Sequence, residues 1–119
     1  MTTASKTPPA PALLQGTLEL LVLKTLAWGP RHGYAIARWL EDVTDDALRI
    51  EEGSLYPALY RMEQRGWLGA EWGVSDSGKR IKVYALTAKG RAELRAQAAQ
   101  WGAVVDVMGK VLRFVPAGR

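Results

Sequence analysis

The sequence predicts a mainly α-helical fold with one small β-hairpin, and three observations carry that prediction. Leu55, Leu59 and Met62 recur at i, i+4 and i+7, the spacing of one apolar helix face. Ser75-Asp76-Ser77-Gly78 is a run of turn residues, and beyond it Lys79 to Leu86 alternates in character as a strand does. Leu94, Ala98, Trp101, Val105, Met108 and Leu112 then step by four, three, four, three and four, a heptad seam on a long terminal helix.

Composition bounds the possibilities. A chain of 119 residues, 48% of them hydrophobic, makes one domain, or one domain with a long accessory helix. There is no cysteine, which excludes disulfides and thiolate metal sites, and a single histidine argues against a transition-metal cluster. No cofactor is expected. The formal net charge of +4 leans toward nucleic acid or another anionic partner without demanding one. No nucleophile–base pair and no glycine-rich phosphate loop stand out, so catalysis is not expected. Asp45-Asp46 and Glu51-Glu52 read as solvated turn carboxylates. The N-terminus has prolines where a secretory leader would be apolar, and Leu13 to Trp28 is broken by Gln15, Glu19 and Lys24. A cytoplasmic location, away from membranes, is expected.

Taken in order, residues 1–12, with Pro8, Pro9 and Pro11, read as a disordered or extended arm. Leu14 to Trp28 is a helix stopped by Gly29-Pro30. Leu14, Leu18, Leu21, Val22 and Thr25 form one face, and Leu20, Leu23, Leu26 and Ala27 extend it over most of the circumference. Such a helix is buried on more than one side, so Leu18 and Leu21 are candidates for a subunit interface. Arg31-His32-Gly33-Tyr34 leads into a second helix through Asp42, with Ile36, Trp39, Leu40 and Val43 inward and His32 in a turn or capping role. Tyr34 stands where it can donate to a phosphate or simply pack.

After a turn at Thr44-Asp45-Asp46 and a short extended piece comes the third helix, from Ser54 to Arg65. Ser54 is its expected N-cap, Pro57 falls in the first turn, and Gly66 ends it as a left-handed residue. Its second face carries Ser54, Tyr56, Tyr60, Arg61, Gln64 and Arg65, groups suited to a groove of DNA. The hairpin follows at Trp67 to Leu86, with the basic run Lys79-Arg80-Ile81-Lys82 near its tip. A basic hairpin directly after a groove-type helix suits a wing lying along phosphates or in the minor groove. Thr87 caps the last helix, which runs from Ala88 to Phe114. Little of its own domain remains to cover the heptad seam, so Leu94, Ala98, Trp101, Val105, Met108 and Leu112 are expected to pair two copies. Among the tryptophans, Trp28, Trp39 and Trp67 are expected in the core and Trp72 partly outside it. Trp101 either packs across the seam or stacks a small aromatic effector.

This order is a winged helix-turn-helix (residues 13–87) with a dimerisation helix and short tail (residues 88–119). The strings Gly16-Thr17-Leu18, Gly29-Pro30 with His32-Gly33-Tyr34, Gly53-Ser54-Leu55-Tyr56-Pro57-Ala58-Leu59 with Arg61-Met62-Glu63 and Gly66-Trp67-Leu68, and Arg80-Ile81-Lys82-Val83-Tyr84 with Leu86-Thr87 and Gly90 resemble the PadR family of bacterial transcriptional regulators. The single terminal helix is similar to that family's short branch. The resemblance implies a homodimer on a roughly palindromic double-stranded DNA operator, with the third helix in the major groove and the wing in the neighbouring minor groove. It further implies repression of its own gene or of a nearby transporter or detoxification operon, with release by a small molecule. Carried onto matching positions, Tyr34, Ser54, Tyr56 and Lys82 would contact the DNA backbone. Tyr60, Arg61 and Gln64 would meet base edges, Arg61 pairing with a guanine. Three features depart from the family: a lightly basic reading surface, Met62 where leucine is usual, and the proline-rich arm. A different class of function, a winged helix that binds another protein, stands as the alternative.

Overall fold

The structure, a computed structural model, describes residues 11–117, with side chains from residue 17 onward. The elements are α1 (Pro11–Leu26), β1 (Arg31–His32), α2 (Gly33–Val43), α3 (Glu52–Gln64), β2 (Leu68–Val74), β3 (Arg80–Leu86) and α4 (Ala88–Arg113). The mainly helical architecture matches expectation. The sheet, however, has three strands in the order β1-β3-β2, because Arg31 and His32 pair antiparallel with Tyr84 and Val83. Two residues are too few to leave a period in the sequence. Of the proline-rich arm, residues 1–10 lie outside the described residues, while Pro11 and Ala12 open α1, where a proline's missing N–H breaks no helical bond.

α1 threads the core. Val22, Leu23 and Thr25 are fully buried, and the Thr25 hydroxyl donates to the Leu21 carbonyl at 2.8 Å. Leu18, expected at a subunit interface, is only 8% exposed and belongs to the chain's own core. Leu21 packs partly buried against the same cluster. The helix stops at Leu26, and the chain turns through Gly29 at φ +133°, a backbone that L side chains rarely adopt. Trp28 therefore leaves the buried face: it is 66% exposed, not in the core as expected, and the Lys24 ammonium lies 5.2 Å from its ring centroid.

α2 begins with His32 as N-cap, its Nδ1 accepting the Ala35 N–H at 3.2 Å. Ile36 and Leu40 are buried, and Trp39 is half-buried against them. Val43, expected inward, is exposed, because it is the last helical residue and the chain departs there. The exit is a Schellman turn without glycine. Asp45 and Asp46 take positive φ, and their N–H groups donate to the Asp42 and Glu41 carbonyls at 3.2 and 2.8 Å.

α3 starts earlier than expected. Glu51, not Ser54, is the N-cap, with no side-chain capping bond, and Ser54 is the third helical residue. Pro57 consequently sits in the second turn, where it withholds the bond that would reach the Gly53 carbonyl. The far end is as expected: Gly66 is left-handed at φ +81°, its N–H donates to the Glu63 carbonyl, and the Trp67 N–H donates to the Met62 carbonyl, both at 3.0 Å. Leu55, Ala58, Leu59 and Met62 are buried and join Val22, Leu23 and Ile36 in one core. Burying each large aliphatic side chain there contributes about 1.5–3 kcal/mol.

The hairpin closes that core from below. Leu68 pairs with Leu86 and Ala70 with Tyr84, and Leu68, Tyr84 and Leu86 are buried. Toward the tip, Trp72 pairs with Lys82 and Val74 with Arg80, so both pairs continue the same face into solvent. Thr87 then fixes the start of α4. Its hydroxyl accepts the Gly90 N–H at 3.0 Å and lies 2.6 and 3.0 Å from the Gly66 and Trp67 carbonyls. Near its beginning α4 packs on the domain, where Leu94 is half-buried. From Ala98 on its apolar side chains lie open in the single chain: Trp101, Val105, Met108 and Leu112 are all exposed.

Candidate nucleic-acid interface

α3 presents four strips. Its back is the buried Leu55–Met62 stripe. Its front, on the opposite side of the helix, carries Gly53, Pro57, Tyr60 and Gln64, all exposed. Between them run two edges. Ser54, Arg61 and Arg65 form the edge beside α1, and Tyr56 and Glu63 form the edge beside α2 and the hairpin. The Glu19 carboxylate on α1 holds the first edge: Arg65 Nη1 lies 3.2 and 3.1 Å from its two oxygens, and Arg61 Nε lies 3.7 Å from Oε2. The Lys82 ammonium holds the second, 3.1 Å from Glu63 Oε1.

Tyr56 packs where α2 has no side chain. A Cβ on Gly33 would stand 2.6–2.9 Å from Cε1, Cζ and the hydroxyl of Tyr56, so the glycine lets the ring lie on the first turn of α2. Burial, then the nearby Glu52 carboxylate, raises the Tyr56 phenol above its ordinary pKa and keeps it a neutral O–H donor. Tyr34, also exposed, stands one residue beyond Gly33, its ring stacked 6.4 Å from that of His32. Its oxygen accepts from Arg38 Nη1 at 3.4 Å, which leaves its own proton free to donate. Tyr34 and Tyr56 share the rim of an open cavity of about 290 Å³ between α2 and α3, lined also by Arg38, Glu41 and Glu52.

The hairpin tip is tied by Ser75, whose N–H donates to the Lys79 carbonyl at 2.7 Å and whose Oγ accepts the Lys79 N–H at 3.1 Å. Lys79 and Arg80 are exposed there. The Arg80 guanidinium lies 4.4 Å from the centroid of the Trp72 ring, and the Lys82 ammonium lies 5.9 Å from it. The hydrogen bond to Glu63 raises the Lys82 pKa above its ordinary value, so the amine stays charged throughout the neutral range.

The structure thus leaves Tyr34 exposed on α2 and Ser54, Tyr56, Tyr60, Arg61 and Gln64 exposed on α3, sets Lys82 against Glu63, and leaves Lys79 and Arg80 exposed at the hairpin tip. Three participants were not assigned from the sequence: Glu19, Glu63 and Trp72. Strand alternation could have found Trp72, since it shares a face with Lys82 and Arg80 once the register is known. Nothing local marks Glu19. Among the described residues no group of histidine and carboxylate side chains could hold a metal ion, and no helix is long and apolar enough to cross a membrane.

A helix pair that supports an exposed polar helix face, with a cation-bearing hairpin beside it, defines a winged helix-turn-helix DNA-binding protein. The chain belongs to the PadR-like family of transcriptional regulators, whose pattern matches residues 22–96. It is accordingly a DNA-binding regulator of transcription and not an enzyme. Transcriptional regulator Rv3488 of Mycobacterium tuberculosis is 40% identical over 81 residues, covering 67% of this chain and 71% of that one. An uncharacterised protein of Lysinibacillus sphaericus is 31% identical over 97 residues, 81% of this chain and 88% of its own. Among solved structures, a PadR family transcriptional regulator from Eggerthella lenta is 38% identical with a TM-score of 0.74, covering 89% of this chain and 90% of that one.

Proposed function

We propose that the protein acts in the cytoplasm as a homodimeric repressor of its own gene or of a neighbouring transporter or detoxification operon. The observation that carries the dimer is the bare apolar seam of α4. Side chains such as Leu112, 76% exposed in the single chain, have no covering element among the described residues, and a second copy of the same seam would bury them in a symmetric coiled contact. Leu94, Ala98, Trp101, Val105, Met108 and Leu112 would form that contact, with Leu21 at its domain end. Leu18, already enclosed, would support it from within.

In this reading Tyr60, Arg61 and Gln64 meet base edges in the major groove of a pseudo-palindromic operator. Tyr34, Ser54 and Tyr56 donate to its phosphates, and Lys79, Arg80 and Lys82 follow the wing along the backbone. Trp101 in the paired seam offers a flat ring to a small aromatic effector, whose binding between the helices would change the spacing of the two reading heads.

Selection of tight binders from a randomised duplex library tests the reading. Two inverted half-sites about one DNA turn, roughly 34 Å, apart are expected. Neutralising about eight phosphates per dimer gives a log–log salt slope near −7. Binding indifferent to sequence or to salt contradicts it.

A further inference from the structure

Glu19 lies on α1, outside the reading helix, yet its side chain is three-quarters enclosed and its carboxylate faces Arg61 of α3 and Arg65 at that helix's C-cap. The two contacts differ in kind. Arg65 places one terminal nitrogen, Nη1, astride both carboxylate oxygens, at 3.2 and 3.1 Å. Arg61 approaches through Nε, at 3.7 Å, and its side chain makes no other ion pair or hydrogen bond among the described residues. Nε belongs to the side edge of the guanidinium. The end edge, with its two terminal nitrogens, is left open, and that edge supplies the paired donors that match guanine O6 and N7. The support beneath is rigid, since Val22, Leu23 and Leu26 fix α1 in the core.

We propose that Glu19 is a positioning residue for sequence recognition: it holds Arg61 by Nε and so aims the terminal nitrogens at a guanine edge. This rests on the DNA-reading role given above to Arg61. A flexible arginine loses rotamer freedom on binding, and a nearby carboxylate that already biases the side chain toward one orientation removes part of that loss. Arg65 shares the carboxylate and keeps it charged-paired without reading a base.

The test uses the full-length protein and single-base variants of the best duplex from the randomised library. Glu19→Gln is expected to lower the preference for guanine at one position of each half-site by about fivefold or more, while affinity for random duplex rises because a negative charge is gone. Arg65→Ala is expected to keep the preference. In an Arg61→Ala background, Glu19→Gln is expected to change the preference no further, and thermal unfolding should shift little, because both arginine partners are about half exposed and the pairing is screened by solvent. Full preference in Glu19→Gln, or an equal further loss in the Arg61→Ala background, overturns the proposal. A wild-type protein that discriminates between duplexes but has no Arg61-dependent guanine overturns the proposal alone. A wild-type protein with no sequence preference overturns the DNA-reading role as well.

Discussion

The Lys82 ammonium and the Glu63 carboxylate, 3.1 Å apart, join the hairpin to α3. The pair bridges α3 and β3, and the hydrogen bond to Glu63 raises the lysine pKa where the wing would meet a phosphate strand. Lys82→Ala is expected to weaken binding to specific and random duplexes alike and to flatten the salt slope by about 1. Titrating both duplexes at several salt concentrations checks this. A loss confined to the specific duplex would show that Lys82 reads bases.

Gly33 and Tyr56 make a second testable junction. Gly33 begins α2 without a positive φ, so alanine suits the helix itself, but its Cβ would take the space of the Tyr56 ring. The ring is a partly exposed side chain and can swing away. Gly33→Ala should therefore leave thermal stability nearly unchanged and lower DNA affinity to the level of Tyr56→Ala. Unaltered affinity would show that the Tyr56 position does not matter for binding.

Gly90 offers the opposite outcome. A Cβ there would collide with the Trp67 backbone carbonyl, which cannot move without disturbing the hairpin and the Thr87 cap. Gly90→Ala is expected to destabilise the fold by about 1–3 kcal/mol or more, against about 1–2 kcal/mol for Thr87→Ala. Denaturant unfolding of the two variants gives the comparison, and a neutral Gly90→Ala would contradict the docking of α4 described above.

Trp101→Asp places a charge in the middle of the α4 seam. Monomers that keep the domain's helicity but bind duplex poorly are expected, because two half-sites are no longer held together. Sedimentation with circular dichroism separates this from unfolding. A variant that stays dimeric would place the subunit contact elsewhere.

Much of this was legible in the sequence, for a local reason. The apolar stripe of α3, its glycine stop, the His32 cap and the heptad steps of α4 are each written within a few residues. Ser54 misled because it is a good capping residue two places inside a helix that already begins at Glu52. Trp28 misled because its helix ends two residues before it, at Leu26. β1 pairs with a strand about fifty residues away, Arg65 meets Glu19 across 46 positions and Lys82 meets Glu63 across 19. Those pairings come from how the elements pack, and no local spacing encodes them.

The most direct measurement is the mass of the protein in solution and on a selected duplex, by sedimentation at micromolar concentration. Twice the 13.1 kDa of one chain is expected free, with two chains per duplex when bound and no assembly in Trp101→Asp. A single chain in both states, binding DNA with full affinity, would contradict the pairing of two reading heads through α4.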